Sequence, residues 1–181
     1  KKVDGIILVG SVFREKSNNR HIYDTALHVP LVMLNGDLAG DNVYSIVCDD
    51  ETGTYKAVDL LFSKGHREMV YLYDADSFSG MAKIRGFKRG MEEKGLILGN
   101  SSIIKVPPGV MGGYEGVERL DREGVKYTAI LTSEDVIAAG VLKKLKETGK
   151  KVPRDVAVIG YNNSQVAICT TPELSTVDNK V

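Results

Sequence analysis

The chain has 181 residues, of which 43% are hydrophobic, and it carries 24 basic and 24 acidic residues. This length suits one large domain or two small lobes, each able to bury an apolar core. A protein that binds DNA unaided usually has a basic excess, because phosphate contacts supply most of its affinity, so the balanced charge argues against DNA binding by this chain alone. No stretch approaches the roughly 20 apolar residues that cross a bilayer, and no membrane association is predicted.

Short apolar runs alternate with amphipathic segments of helical length along the whole chain. The runs predict seven strands, at residues 4–9, 31–35, 44–48, 68–73, 102–106, 127–132 and 156–160. Four helices between them are predicted to end at a left-handed glycine: Gly65, Gly95, Gly124 and Gly149. Repeated strand–helix–strand units predict an α/β fold with doubly wound parallel sheets.

Two helix starts can also be predicted. Asp50, followed by an acidic residue, favours the start of a helix, and Ser133 before Glu134 and Asp135 is a plausible N-cap.

The sequence has no motif that indicates catalysis or metal binding. The glycine-rich residues 107–116 lack the glycine spacing of a dinucleotide-binding loop, so they predict an ordinary strand–helix connection. The three histidines are far apart, and Cys48 and Cys169 have no metal-binding or disulfide spacing. We therefore expect a protein without enzymatic activity, cofactor or metal, in a reducing compartment such as the cytoplasm.

Six stretches, in this order and with similar spacing, resemble the lactose/galactose repressor family of bacterial transcription regulators. They are VDGIILVGS (3–11), VPLVMLNG (29–36), YSIVCDDETGTYKAVDLLFSKGHREMVYLYD (44–74), KIRGFKRGMEEKGL (83–96), TAILTSEDVIAAGVLKKLKETGKKVPRDVAVIGYNN (128–163) and TPELSTVDN (171–179). The resemblance covers nearly the whole chain.

The resemblance implies a periplasmic-binding-protein-like architecture of two α/β lobes with a ligand cleft. Residues 1–65 would form part of the N-terminal lobe, 66–178 the C-terminal lobe, and 179–181 the start of the return to the first lobe. In the family pattern, a helix-turn-helix head and the first elements of the N-terminal lobe would precede Lys1, and closing elements would follow Val181. We therefore expect an incomplete N-terminal lobe.

Three positions that contact effectors in the resembled family carry different residue types here. Lys83 stands where the family has arginine, Glu134 where it has asparagine, and Asn162 where it has aspartate. Phe78 would replace a stacking aromatic that is missing at Pro108. Thr52, near the predicted helix start at Asp50, completes the ligand-binding candidates.

The residues themselves support this placement, since ligands of parallel α/β sheets bind beyond the carboxyl ends of the strands. Asn162 follows the strand at 156–160, Glu134 follows the strand at 127–132, and Lys83 is predicted to open the helix after the strand at 68–73. In the alternative interpretation, Lys83 and Glu134 form a salt bridge and Asn162 bonds only its own loop.

A dimer interface is a further expectation. The segment QVAICTT (165–171) is apolar although it lies in a predicted loop, so it could be an interface or a short buried helix. The resemblance implies an interface built from Met111, Tyr114, Val141, Leu142, Val166 and Ile168.

The combined prediction is the effector-sensing and dimerising core of a cytoplasmic transcription regulator. It would bind a sugar, nucleoside or sugar phosphate, and would reach DNA only through the absent head. Two other binding functions stay open: a periplasmic-type solute-binding protein, and a catabolite control regulator with a phosphoprotein partner, which GFKRG (86–90) after Lys83 suggests. An α/β enzyme such as a sugar-nucleotide transferase rests on fold class alone.

Overall fold

The computed structural model describes residues 3–11 and 19–180, which form eight strands and six helices. In chain order these are β1 (Ile6–Val9), α1 (Arg20–Ala26), β2 (Leu31–Leu34), β3 (Val43–Ile46), α2 (Asp50–Ser63), β4 (Met69–Tyr73), α3 (Phe78–Glu93), β5 (Ile103–Lys105), α4 (Gly109–Arg122), β6 (Ala129–Thr132), α5 (Asp135–Glu147), β7 (Ala157–Tyr161), α6 (Gln165–Cys169) and β8 (Ser175–Val177). The chain divides into two compact units, one of residues 1–49 and 76–82 and one of residues 50–75 and 83–181.

The first unit contains a parallel three-stranded sheet in the order β1-β2-β3. Leu31 and Met33 of β2 are buried against Ile22 and Ala26 of α1. Together these four side chains belong to the core of this unit. The opposite face of the sheet exposes apolar side chains on its outer strands: Ile7, Val9, Tyr44 and Ile46.

The second unit contains a parallel five-stranded sheet in the order β5-β4-β6-β7-β8. Strands β6 and β7 are buried along their whole length, as expected for parallel strands that helices cover on both faces. On β4, Val70 belongs to the core that includes α4 and α5, whereas Tyr71 on the other face stacks on Phe87 of α3 at 5.4 Å. This doubly wound arrangement confirms the predicted fold class.

The structure confirms the seven predicted strands, with ends that shift by one or two residues. The four predicted glycine helix ends all have positive φ, and α2 begins at Asp50 as expected. The predicted N-cap at Ser133 is wrong: the cap is Glu134, and the Ser133 hydroxyl donates instead to Asp74. Strand β8 and helix α1 were not predicted from the sequence, and the apolar segment after Asn163 contains the short helix α6.

The boundary of the second unit also differs from the predicted lobe boundary after residue 65. Helix α2 belongs to the second unit, where its first turn packs on α3. A Cβ atom at Gly86 would overlap the carbonyl oxygen of Glu51, and the Glu51 carboxylate pairs with Arg85 and Arg89 at 3.0 and 2.8 Å. These contacts join α2 to the helix after β4.

Candidate functional site

Polar side chains gather at the carboxyl ends of β4, β6 and β7 in the second unit. Asp74 directly follows β4, Ser133 and Glu134 follow β6, and Asn162 follows β7. Parallel strands carry their carboxyl ends to the same edge of the sheet, so residues far apart in sequence lie together there.

Lys83 is held firmly within this group. Its Nζ atom donates a hydrogen bond to the Ser133 carbonyl oxygen at 3.1 Å and lies 4.0 Å from the centre of the Tyr161 ring. Only 6% of the residue is exposed, and a lysine so buried requires compensation of this kind. Lys83 lies in the second turn of α3, which begins at Phe78, so the prediction that Lys83 opens this helix is wrong.

Two acidic side chains lie beside this lysine. The Ser133 hydroxyl donates to Oδ1 of Asp74 at 3.1 Å, which places Asp74 next to the start of α5. Burial raises the pKa of the half-buried Glu134 carboxyl; Asp74 raises it further, Lys83 lowers it and Asp135 raises it. Glu134 is therefore a carboxylate whose charge is only partly compensated by the protein.

The variant Glu134→Gln is expected to stabilise the ligand-free protein near neutral pH, by up to about 1 kcal/mol for a partly solvated group. A carboxyl group whose pKa is raised in the folded state does not destabilise the protein below its unfolded-state pKa of about 4.3. Its destabilising effect grows as the pH rises through the folded-state pKa. Thermal unfolding between pH 4 and 8 measures this. The melting temperatures of variant and parent should converge at pH 4 and separate at pH 8; parallel curves would contradict the raised pKa.

Asp135 fixes the loop after β7. It is 1% exposed, and its carboxylate accepts hydrogen bonds from the Ser164 backbone N–H at 2.7 Å and from the Thr176 hydroxyl at 2.5 Å. The loop that carries Asn162 is thus connected to the start of α5 and to β8.

Asn162 has an exposed side chain on a left-handed backbone. Its φ is +99°, its N–H donates to the Val177 carbonyl oxygen at 2.9 Å, and its Oδ1 accepts from Nδ2 of Asn179 at 3.1 Å. In the alternative interpretation Asn162 bonds only its own loop, but the partner here, Asn179, lies 17 residues further along the chain, after β8. Its exposure leaves the amide accessible to a ligand.

The other two ligand-binding candidates are on helices α2 and α3. Thr52 is half-buried in the first turn of α2, within the second unit. Phe78 is the first residue of α3 and belongs to the first unit, where its N–H donates to the Ser11 carbonyl oxygen at 2.7 Å.

Tyr161 and Asp74 were not predicted as site residues, although they lie at the ends of β7 and β4 and so had the same positional signal as Asn162. A set of buried oxygens in the second unit was not predicted either. The side-chain oxygens of Asp50, Thr54 and Tyr71 are buried without a hydrogen-bond partner in the described structure. Burial, followed by the charges of Tyr161 and Asp50, raises the pKa of Tyr71 well above its usual value.

Two of the predicted interface residues are in the protein core. Val141 and Leu142 of α5 are 0% and 7% exposed and pack in the main apolar cluster, so their assignment to a dimer interface is wrong. Met111 and Ile168 are 53% and 64% exposed. Val166 is half-buried, as is Tyr114, whose hydroxyl donates to Glu147 at 2.6 Å.

Within residues 3–11 and 19–180, no group of three or more histidine, cysteine, aspartate or glutamate side chains could hold a metal ion. In the same residues, no helix has the length and apolar character needed to cross a membrane.

Residues 58–181 match the family model of the periplasmic binding protein-like domain. Over 183 residues, the chain is 37% identical to an HTH-type transcriptional regulator of Lachnoclostridium phytofermentans, and the match covers 100% of this chain and 55% of that protein. It is 34% identical over 149 residues to the regulator AscG of Escherichia coli K12, with coverage of 82% and 44%. The chain thus spans about half the length of the curated relatives it matches.

The fold agrees with solved structures of such regulators. A sugar-binding transcriptional regulator of the LacI family from Escherichia coli, complexed with phosphate, superposes with a TM-score of 0.85 at 31% identity. The superposition covers 96% of this chain and 62% of the regulator.

Proposed function

Because the chain belongs to the periplasmic binding protein-like domain family, as an effector-binding core of the lactose/galactose repressor type, we propose that it senses a small polar effector. The effector would bind at the carboxyl ends of β4, β6 and β7 and would control a DNA-binding segment of the full-length regulator in the cytoplasm. The observation that supports this proposal is that Glu134 and Asn162 directly follow β6 and β7, while Lys83 bonds to Ser133 at the end of β6.

The proposed mechanism is a shift between two states of the regulator. An effector can only change DNA binding if it binds one state more tightly than the other. Asp135 supports such a role, because its buried hydrogen bonds connect the Asn162 loop with the start of α5 and with β8. An effector that contacts this loop would therefore act on several elements of the second unit at once.

A binding role is favoured over catalysis at these strand ends. Lys83, the amine that could act as a nucleophile, is buried and donates to a carbonyl oxygen. The relatives named above are transcriptional regulators. They also favour a regulator over an exported solute-binding protein.

The variant Asn162→Gly is expected to weaken binding of any effector found by thermal-shift and calorimetric screening of sugars, nucleosides and sugar phosphates. Loss of the amide would leave ligand groups unpaired and reduce affinity roughly 5- to 150-fold. Glycine suits this test better than leucine, because it tolerates the positive φ of +99° at this position. The matched control is Asn163→Gly, which also replaces an exposed asparagine with positive φ. Equal affinities of both variants and the parent would exclude Asn162 as a ligand residue.

We also propose that the protein forms a homodimer through the exposed apolar side chains of Met111 and Ile168. The double variant Met111→Asp/Ile168→Asp is expected to be monomeric in sedimentation velocity, since buried unpaired carboxylates are costly at an interface. The control is Ile97→Asp, at a side chain that is 90% exposed in a different loop of the second unit. A double variant that sediments as a dimer would contradict this interface.

A further inference from the structure

We propose that the effector carries a protonated amine in addition to hydroxyl groups, as an aminated sugar does, and that Glu134 is the residue that selects the amine. This inference rests on the effector site proposed above and concerns the chemical class of its ligand.

The strand ends of the second unit carry more negative than positive charge. Asp74 and Glu134 lie just after β4 and β6 and Asp135 begins α5, whereas Lys83 of α3 is the cation beside them among the described residues. Lys83 is already bound to the Ser133 carbonyl oxygen and covered by the Tyr161 ring. Among the described residues at these strand ends, an anionic ligand would therefore meet carboxylates without a cation that is available to receive it.

The three carboxylates differ in how far the protein satisfies them. Both oxygens of Asp135 accept hydrogen bonds from within the second unit, and Asp74 accepts one from the Ser133 hydroxyl. Among residues 19–180, no hydrogen bond to the Glu134 side chain is found, although this side chain is half-buried. Glu134 is thus the acceptor at this site that still requires a donor.

An ammonium group satisfies this requirement better than a hydroxyl group. A partly desolvated carboxylate gains most from a partner that donates a hydrogen bond and also neutralises its charge. Burial and the neighbouring Asp74 raise the pKa of Glu134, so its ionised form is under-compensated in the absence of ligand. Hydroxyl groups of the same ligand would find both a donor and an acceptor in the exposed amide of Asn162.

Three ligand series test this inference by calorimetry on the full chain at pH 7. Glucose, galactose and mannose are each compared with their 2-amino and 6-phosphate forms, so that the members of a series differ in one group. We expect one of the amino sugars to bind at least about tenfold more tightly than its neutral parent, and the phosphates not to bind. Glu134→Gln should remove that advantage, so that the amino sugar and its neutral parent bind this variant with similar affinity.

The control variant is Glu173→Gln, which changes an exposed carboxylate on the loop before β8 and should keep the preference. A neutral or phosphorylated sugar that binds as tightly as its amino form, and that Asn162→Gly weakens, would overturn the amine inference and leave the effector site in place. If no amino sugar binds, the inference is overturned as well. In that case, a compound from the wider screen whose affinity falls in Asn162→Gly would still support the effector site. Compounds that bind this variant as tightly as the parent would overturn the effector site as well.

Discussion

Replacing Gly140 with alanine is expected to destabilise the second unit by about 3 kcal/mol, near the upper end of the range for overpacked cores. Gly140 lies in α5, where a Cβ atom would overlap the backbone carbonyl oxygen of Val110. In the facing helix α4, a Cβ atom at Gly113 would overlap the carbonyl oxygen of Ile137. The two backbones thus touch at a pair of glycines, and a methyl group can only fit if the helices move apart.

The helix propensity of alanine acts against the destabilising clash, so it cannot account for a loss of stability. Alanine stabilises a helix interior by about 1 kcal/mol relative to glycine, so a net loss must come from the clash. Urea unfolding of Gly140→Ala measures the change. The control is Gly99→Ala, since the one neighbour within 4 Å of a Cβ atom there is the Ser102 hydroxyl oxygen, at 3.8 Å. An unchanged or higher midpoint for Gly140→Ala would show that α4 and α5 are not in backbone contact.

The strands were predictable where burial on both faces requires a continuous run of apolar residues. Strands β4, β6 and β7 are covered on both faces, so they read as continuous apolar runs. Strand β8, with the sequence STV, is short and partly exposed, and it pairs with β7 at the edge of the five-stranded sheet. Its residues give no apolar run, so its place in the sheet depends on tertiary pairing with β7.

The position of the candidate site was predictable from topology, but its contacts were not. Strand ends indicate where Glu134 and Asn162 lie, because all parallel strands point to the same edge. The hydrogen bond from Lys83 to Ser133 joins residues 50 positions apart, and the Tyr161 ring packs against the same ammonium group. Such pairings depend on how helices pack on the sheet, which apolar spacing does not specify.

The error at Val141 has a related cause. The interface assignment of Val141 came from the family resemblance. Apolar helical spacing could not test it, because such spacing does not show whether the apolar face of a helix meets the sheet, another helix or another molecule. Here it meets α4 and the sheet, so the residue is fully buried. The neighbouring Gly140 was the available signal, since a glycine inside a helix often marks a close helix contact. An aspartate at position 141 would therefore unfold the protein and would not report on its assembly.

The variant Asp135→Ala is expected to cost about 3 kcal/mol of stability and to weaken effector binding at the same time. Its carboxylate accepts from the Ser164 N–H and from the Thr176 hydroxyl in a site that is 1% exposed. Removing it leaves two half-buried donors without this partner, and hydrogen bonds to charged groups contribute roughly 1.5–3 kcal/mol each. The loop with Asn162 would also lose its connection to α5.

Two further variants separate the contribution of these bonds from a general effect of removing a charge. Asp135→Asn keeps one acceptor oxygen, so its urea midpoint should lie between those of the parent and Asp135→Ala. Asp155→Ala also removes a carboxylate that accepts a backbone N–H, from Lys151 at 2.8 Å, but on the exposed surface. It should cost much less, because water can replace the lost bond. Equal midpoints for Asp135→Ala and Asp155→Ala would mean that the buried bonds of Asp135 do not hold the loop, and the coupling between Asn162 and α5 would then lose its physical basis.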